Sequence, residues 1–363
     1  MRKSGKAFLT AAFLGITVLT GCGNGAEAEK QTESTEKATI ICTVFPEYDW
    51  VCAILGDLKE EYDVQLLLNS GVDIHSYQPT AEDIARISKC DLFVYTGGVS
   101  ENWIEDTLKG AVNDQMQVVT LMDELGERVK TEEIVEGMEH HHEDEGVYAE
   151  DGHAHVDEEV YAEDGHVHEG EEGLAEDEHA HEEATGYDEH VWLSLKNAEI
   201  LVDSLAEALA LMDEENAGVF EENAAAYIEK LEQLDGAYEK AVEEAELDTL
   251  LFGDRFPFRY LTEDYGLNYY AAFTGCSAET EASFETIAFL AEKLDELELP
   301  AVMVIESSDQ KLAQTIIGST QKKDQRILVM NSLQSVNRTD MENGASYLSI
   351  MEENLEVLKE ALN

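Results

Sequence analysis

Residues 214–246 read EENAGVFEENAAAYIEKLEQLDGAYEKAVEEAE. Tyr227, Ile228, Leu231, Leu234 and Tyr238 recur in this stretch at helical spacing, so it predicts one long, mostly uninterrupted helix. On either side the chain alternates short apolar, β-branched runs with helix-length segments. Before the helix, 38–45 (ATIICTVF), 62–68, 91–95 and 118–121 read as strands. Between them 49–56 and 80–88 read as helices, the second opened by Pro79 and Thr80, and 197–212 follows as an amphipathic helix. After it, strands are expected from 250, at 267–273, 301–305 and 326–330, with helices at 283–297, 310–319 and 345–362. Such alternation indicates βαβ units and parallel sheets. The fold class is α/β, with two small parallel-sheet lobes and a long α-helix between them.

The 363 residues, 44% of them hydrophobic, suffice for two domains with real cores. A formal net charge of -57 excludes nucleic acid as a partner and excludes holding an anionic membrane by surface charge. Cations are what such a field attracts. At the N-terminus, Arg2, Lys3 and Lys6 precede an apolar run over 7–20 that closes in LTGC (19–22). That run is shorter than the roughly 20 residues needed to span a bilayer, so it reads as a secretory signal. Its ending resembles the bacterial lipobox, which implies lipidation at Cys22 and anchoring at the extracytoplasmic face of the membrane. The expected organisation is a signal peptide at 1–21, a flexible tether at 22–37, an N-terminal lobe at 38–212, a linking helix at 213–247 and a C-terminal lobe at 248–363. Cys42, Cys52, Cys90 and Cys276 lack CxxC spacing, so a cysteine zinc site is not expected, and sequence does not choose a disulfide pair among them.

One segment breaks the α/β pattern. Residues 139–189 carry no periodic apolar positions and no Lys or Arg, so they are expected to be a disordered insertion in the first lobe. VYAEDGHAH (147–155) recurs as VYAEDGHVH (160–168) and, degraded, as LAEDEHAH (174–181). His140, His141, His142, His153, His155, His166, His168, His179 and His181 thus sit among carboxylates, mostly as His-x-His pairs. Clusters of that kind bind zinc weakly and reversibly.

Two further histidines lie at edges between loops and regular structure: His75 within GVDIHSYQPT (71–80) and His190 within DEHVWLSLKN (188–197). Loops leaving the carboxyl ends of parallel strands are where α/β sheets bind ligands, and neutral imidazole serves zinc, manganese and iron. The two motifs together resemble the paired signature of the zinc and manganese solute-binding lipoproteins of ABC importers, a family that includes zinc-uptake and adhesin-like members. The resemblance covers nearly all of the mature chain. It implies two lobes joined by one rigid helix, a metal site in the interlobe cleft, His75 and His190 as its first two ligands, and an ABC importer permease as partner of a monomeric binding protein. It also implies that a histidine-rich insertion marks the zinc members. In the second lobe the pattern departs: the third ligand position falls on Arg255, which stays protonated, so Asp254 in an expected 253–255 turn takes its place. The fourth falls on Asn331, a weaker neutral donor. Glu306 resembles a family glutamate near the cleft and reads as a supporting residue. The expected cargo is Zn(II), with Mn(II) the alternative, since more oxygen in the shell favours manganese. A metal-stabilised adhesion lipoprotein and a metal-dependent hydrolase are the rival classes. No GxSxG, P-loop, GxGxxG or HExxH supports an enzyme.

Overall fold

The computed structural model describes residues 37–138, 186–277 and 281–363, and all that follows concerns those. The signal, the tether with Cys22 and the nine histidines of the insertion lie outside them. In the first lobe, β1 (Thr39–Cys42) leads to α1 (Phe45–Leu55), β2 (Asp63–Leu66), α2 (Ala81–Ile87), β3 (Leu92–Tyr95), α3 (Trp103–Lys109), β4 (Gln117–Thr120) and α4 (Leu121–Leu125). These strands form one parallel sheet in the order β2-β1-β3-β4. Then come α5 (Leu195–Met212) and the 27-residue α6 (Ala217–Glu243). The second lobe runs β5 (Thr249–Phe256), α7 (Arg259–Asp264), β6 (Asn268–Thr274), α8 (Phe284–Glu296), β7 (Ala301–Ile305), α9 (Lys311–Ser319), β8 (Arg326–Met330), α10 (Arg338–Glu342) and α11 (Tyr347–Ala361). Its sheet repeats the same parallel plan as β6-β5-β7-β8.

Three expectations are corrected. The first strand stops at Cys42 because Glu47 folds back: its Oε2 accepts the Thr43 and Val44 N–H groups at 2.8 and 3.2 Å, and Pro46 opens α1 where its missing N–H is harmless. Residues 253–255 form no turn. They stay inside β5, which bulges between Phe252 and Arg255. Residues 186–189 do not belong to a structureless insertion, since Tyr187 pairs with Thr131 and Asp188 N–H donates to Lys130 O at 2.8 Å.

The lobes share a core. One hydrophobic cluster runs from Ile40 and Trp50 through Trp192 and Tyr238 to Phe258, Tyr347 and Leu362. Helix α11 crosses back to the first lobe: Tyr347 N–H donates to Asp49 at 2.9 Å, Tyr347 OH to Trp192 O at 2.7 Å, and Tyr238 OH of α6 to Met351 O at 2.6 Å. Among the described residues no helix is long and apolar enough to cross a membrane.

Candidate metal centre

His75 sits on a single turn of 3-10 helix, Ile74–Ser76, just beyond β2. Asp73 caps that turn, its Oδ1 accepting the His75 N–H at 3.0 Å, which fixes where the imidazole departs from the backbone. His190 precedes a second 3-10 turn, Val191–Leu193, and α5 starts directly after it on the Ser194 cap. The two rings, 115 residues apart in sequence, meet edge to face with Nε2 atoms 3.1 Å apart.

Two consecutive carboxylates stand behind the imidazoles, and one of them, Asp188, orients its ring by a hydrogen bond. Asp188 Oδ1 accepts from His190 twice, from the backbone N–H at 2.9 Å and from Nδ1 at 2.8 Å, leaving Nε2 to face the cleft. Glu189 Oε2 stands 3.4 Å from His75 Nδ1, beside the Ser100 hydroxyl at 2.8 Å. Glu189 is itself held by the Ser100 N–H at 2.8 Å, in a cradle that needs Gly98: a Cβ there would lie 2.5 Å from Glu189 Oε1, and the backbone has φ +91°. Tyr260 ties this segment to the second lobe, accepting from Lys130 N–H at 3.0 Å and donating to Asp188 O at 2.9 Å. Trp192 does the same by donating to Ser332 O at 2.9 Å.

Both rings are buried, His190 completely. Burial pushes the His75 imidazole down to about 3, and a charge on His190 pushes the same way. For His190 burial acts downward too, but the Asp188 carboxylate outweighs it and raises the ring above its ordinary value.

A thiol from the second lobe stands beside the two rings. Cys276 follows β6, and its Sγ and one nitrogen of each imidazole all lie within 4.8 Å of one another. Among the described residues these three are the group of His, Cys, Asp or Glu able to hold one ion. Sequence reasoning set Cys276 aside for want of CxxC spacing. The only local signal was the Gly275-Cys276 pair at a strand's carboxyl end. Gly275 is required there, because a Cβ would come within 2.9 Å of Phe256 O and 3.0 Å of His190 Cε1. All four described cysteines are free thiols.

The expected second-lobe donors are not drawn into this group. Asn331 Oδ1 accepts from Leu333 N–H at 2.8 Å, an internal turn contact. Asp254 Oδ1 accepts from Arg255 N–H at 2.9 Å, while its Oδ2 is buried without a partner. Glu306 spends both oxygens on Ser332 and Ser335 just past β8, at 2.8–3.2 Å. Arg255 reaches across the cleft and pairs with Asp73 at 2.7 Å.

A family model described as zinc-uptake complex component A, periplasmic, matches residues 40–361. The chain is 30% identical over 355 residues to the zinc-binding lipoprotein AdcA of Streptococcus pneumoniae, covering 98% of this chain but 60% of that protein's length. It is 28% identical over 359 residues to the high-affinity zinc uptake system protein ZnuA of Bacillus subtilis, covering 99% of this chain and 97% of the other. The crystal structure of the Zn(II)-bound ZnuA-like domain of S. pneumoniae AdcA superposes with a TM-score of 0.63 at 26% identity, over 90% of this chain and 99% of that one.

Proposed function

The chain belongs to the zinc-uptake complex component A family, and on that footing we propose that it captures one zinc ion between its lobes outside the cytoplasm and hands it to an ABC importer. The observation that carries this reading is the 3.1 Å approach of the His75 and His190 Nε2 atoms in a buried cleft. Tetrahedral zinc with bonds of about 2.0–2.1 Å sets two imidazole nitrogens about 3.3 Å apart. The rings are therefore within a few tenths of an ångström of chelating geometry. Metal ligands must be deprotonated, so capture is coupled to proton release and weakens as the histidines protonate. Asp188 and the Ser100 hydroxyl hold the rings in the metal-accepting orientation, and the second lobe completes the shell.

Anchoring through lipid at Cys22 would keep the protein near its permease and raise their encounter concentration. The histidine-rich insertion serves this reading as a weak gathering arm, with the tight site elsewhere. Melting of the mature chain with and without zinc tests the assignment, since a ligand selective for the folded state must raise the midpoint. Replacing His75 and His190 together by Ala should abolish the zinc-dependent rise, whereas deleting residues 140–181 should leave most of it. Loss of the rise on deletion alone would move the tight site into the insertion and overturn the proposal.

A further inference from the structure

Resting on that capture reading, we propose that Cys276 binds the captured ion as a thiolate and, with Arg255 withdrawing Asp73 from the ion, makes the site select thiophilic metals over manganese. Three observations converge. The Cys276 sulfur lies within 4.8 Å of both imidazole groups, against about 3.6 Å for a nitrogen and a sulfur on one tetrahedral zinc, so a loop shift of about 1 Å completes the site. The loop is built for close approach. Gly275 lets the backbone lie against the His190 ring, and the Cys276 N–H is pinned to Glu132 Oε1 at 2.8 Å.

Of the hard oxygens nearby, Asp254 Oδ2 and Glu189 Oε2 are buried without a hydrogen-bond partner but stand outside the group formed by His75, His190 and Cys276, and the others are engaged with the protein itself. Asn331 Oδ1 closes a turn, and Glu306 braces the segment after β8. Asp73 Oδ1, 3.9 Å from His75 Nε2, belongs to a carboxylate whose other oxygen is clamped by the Arg255 guanidinium at 2.7 Å. Where the family resemblance expects a metal ligand, this chain carries a fixed cation that neutralises the nearest carboxylate. The donor set is then two imidazoles and one thiolate, which suits zinc and cadmium, while manganese favours carboxylate, carbonyl and water. In forming the bond the thiol loses its proton to solvent and the sulfur donates a lone pair to the ion, with no change of oxidation state.

Cobalt(II) loaded into the full mature chain reads the bond directly, because a thiolate ligand adds an intense near-ultraviolet charge-transfer band that imidazole and carboxylate ligands do not. The wild-type chain should show that band, and Cys276→Ser should lose it while retaining cobalt bound through the histidines. In zinc and manganese competition titrations, Cys276→Ser should weaken zinc at least tenfold. Cys276→Asp, which restores a hard donor, should narrow the zinc-to-manganese preference at least tenfold. Bound cobalt without the band in the wild type, or unchanged zinc affinity and preference in both variants, would overturn the assignment. If tight cobalt binding also survives His75→Ala with His190→Ala, the capture reading itself fails. If it is lost there but the band is absent in the wild type, only the role of Cys276 fails.

Discussion

Removing the Asp188 side chain should weaken zinc binding 10–100-fold without unfolding the protein. Asp188 Oδ1 accepts from His190 Nδ1 at 2.8 Å and also holds the His190 N–H at 2.9 Å. In Asp188→Ala a fully buried imidazole loses both constraints. One ring N–H is left unpaired, and the Nε2 lone pair no longer has a fixed direction. Loss of an orienting carboxylate behind a metal-bound histidine typically costs 10–100-fold in affinity, or about 1.4–2.7 kcal/mol. Competition against a chromophoric chelator at fixed ionic strength measures this in the tight phase of the titration. Asp188→Asn keeps an acceptor of the same shape, so it should lose less. The zinc-dependent rise in melting temperature should shrink by the same free energy. A tight phase within twofold of wild type in a folded Asp188→Ala protein would refute the claim that ring orientation limits affinity.

The remaining predictions address the scaffold. Glu101 is fully buried behind the Gly98 cradle, and burial lifts its carboxyl from 4.5 to about 7, with Glu189 adding to the rise against the Gly97 N–H. An acid raised on folding contributes its stability fully below about 4.5 and loses it as pH climbs through about 7, a change on the order of 3 kcal/mol. Urea unfolding of metal-free protein at pH 5 and pH 8 should show that fall, and Glu101→Gln should flatten it. Gly275→Ala should destabilise by about 1–3 kcal/mol and weaken zinc as well, because the added methyl meets both Phe256 O and the His190 ring; isothermal titration beside a urea curve separates the two effects. Tyr347→Phe removes the donor to the buried Trp192 carbonyl and should cost about 1–3 kcal/mol in urea while leaving the metal ligands in place.

Much of the fold was legible because the strands are short apolar runs bounded by polar turns, and β7 and β8 end where the sequence says they should. Short helices such as α3, α7 and α10 were missed, since five to seven residues carry too little periodicity to register. His75 and His190 were readable from their motifs. The nearness of Cys276 was not, because it owes its place to a long-range fit: a glycine with no Cβ sliding over a ring contributed 85 residues earlier. Arg255 reads from sequence as a cation that stays protonated, but its partner was invisible. The Asp73 contact joins positions 182 residues apart, and nothing local in either segment announces it.

The seam between the lobes constrains how an ion can enter. Trp192, Tyr260, Phe258 and Tyr347 are at most 1% exposed and belong to a core that both lobes share. Prising the lobes apart would return such rings to water at about 2 kcal/mol each. It would also break the Trp192–Ser332 and Tyr260–Asp188 bonds and the Arg255–Asp73 pair, whose partners sit on opposite lobes. A wide hinge opening therefore costs on the order of the stability of a whole domain, about 5–15 kcal/mol. The chelating atoms, by contrast, all stand on turns at the carboxyl ends of strands or ahead of helices, and need displacements of about 1 Å or less to close on zinc. On the proposed reading, capture and release would be motions of the loops that carry His75 and Cys276 against a fixed frame, with His190 held by Asp188 as the reference point.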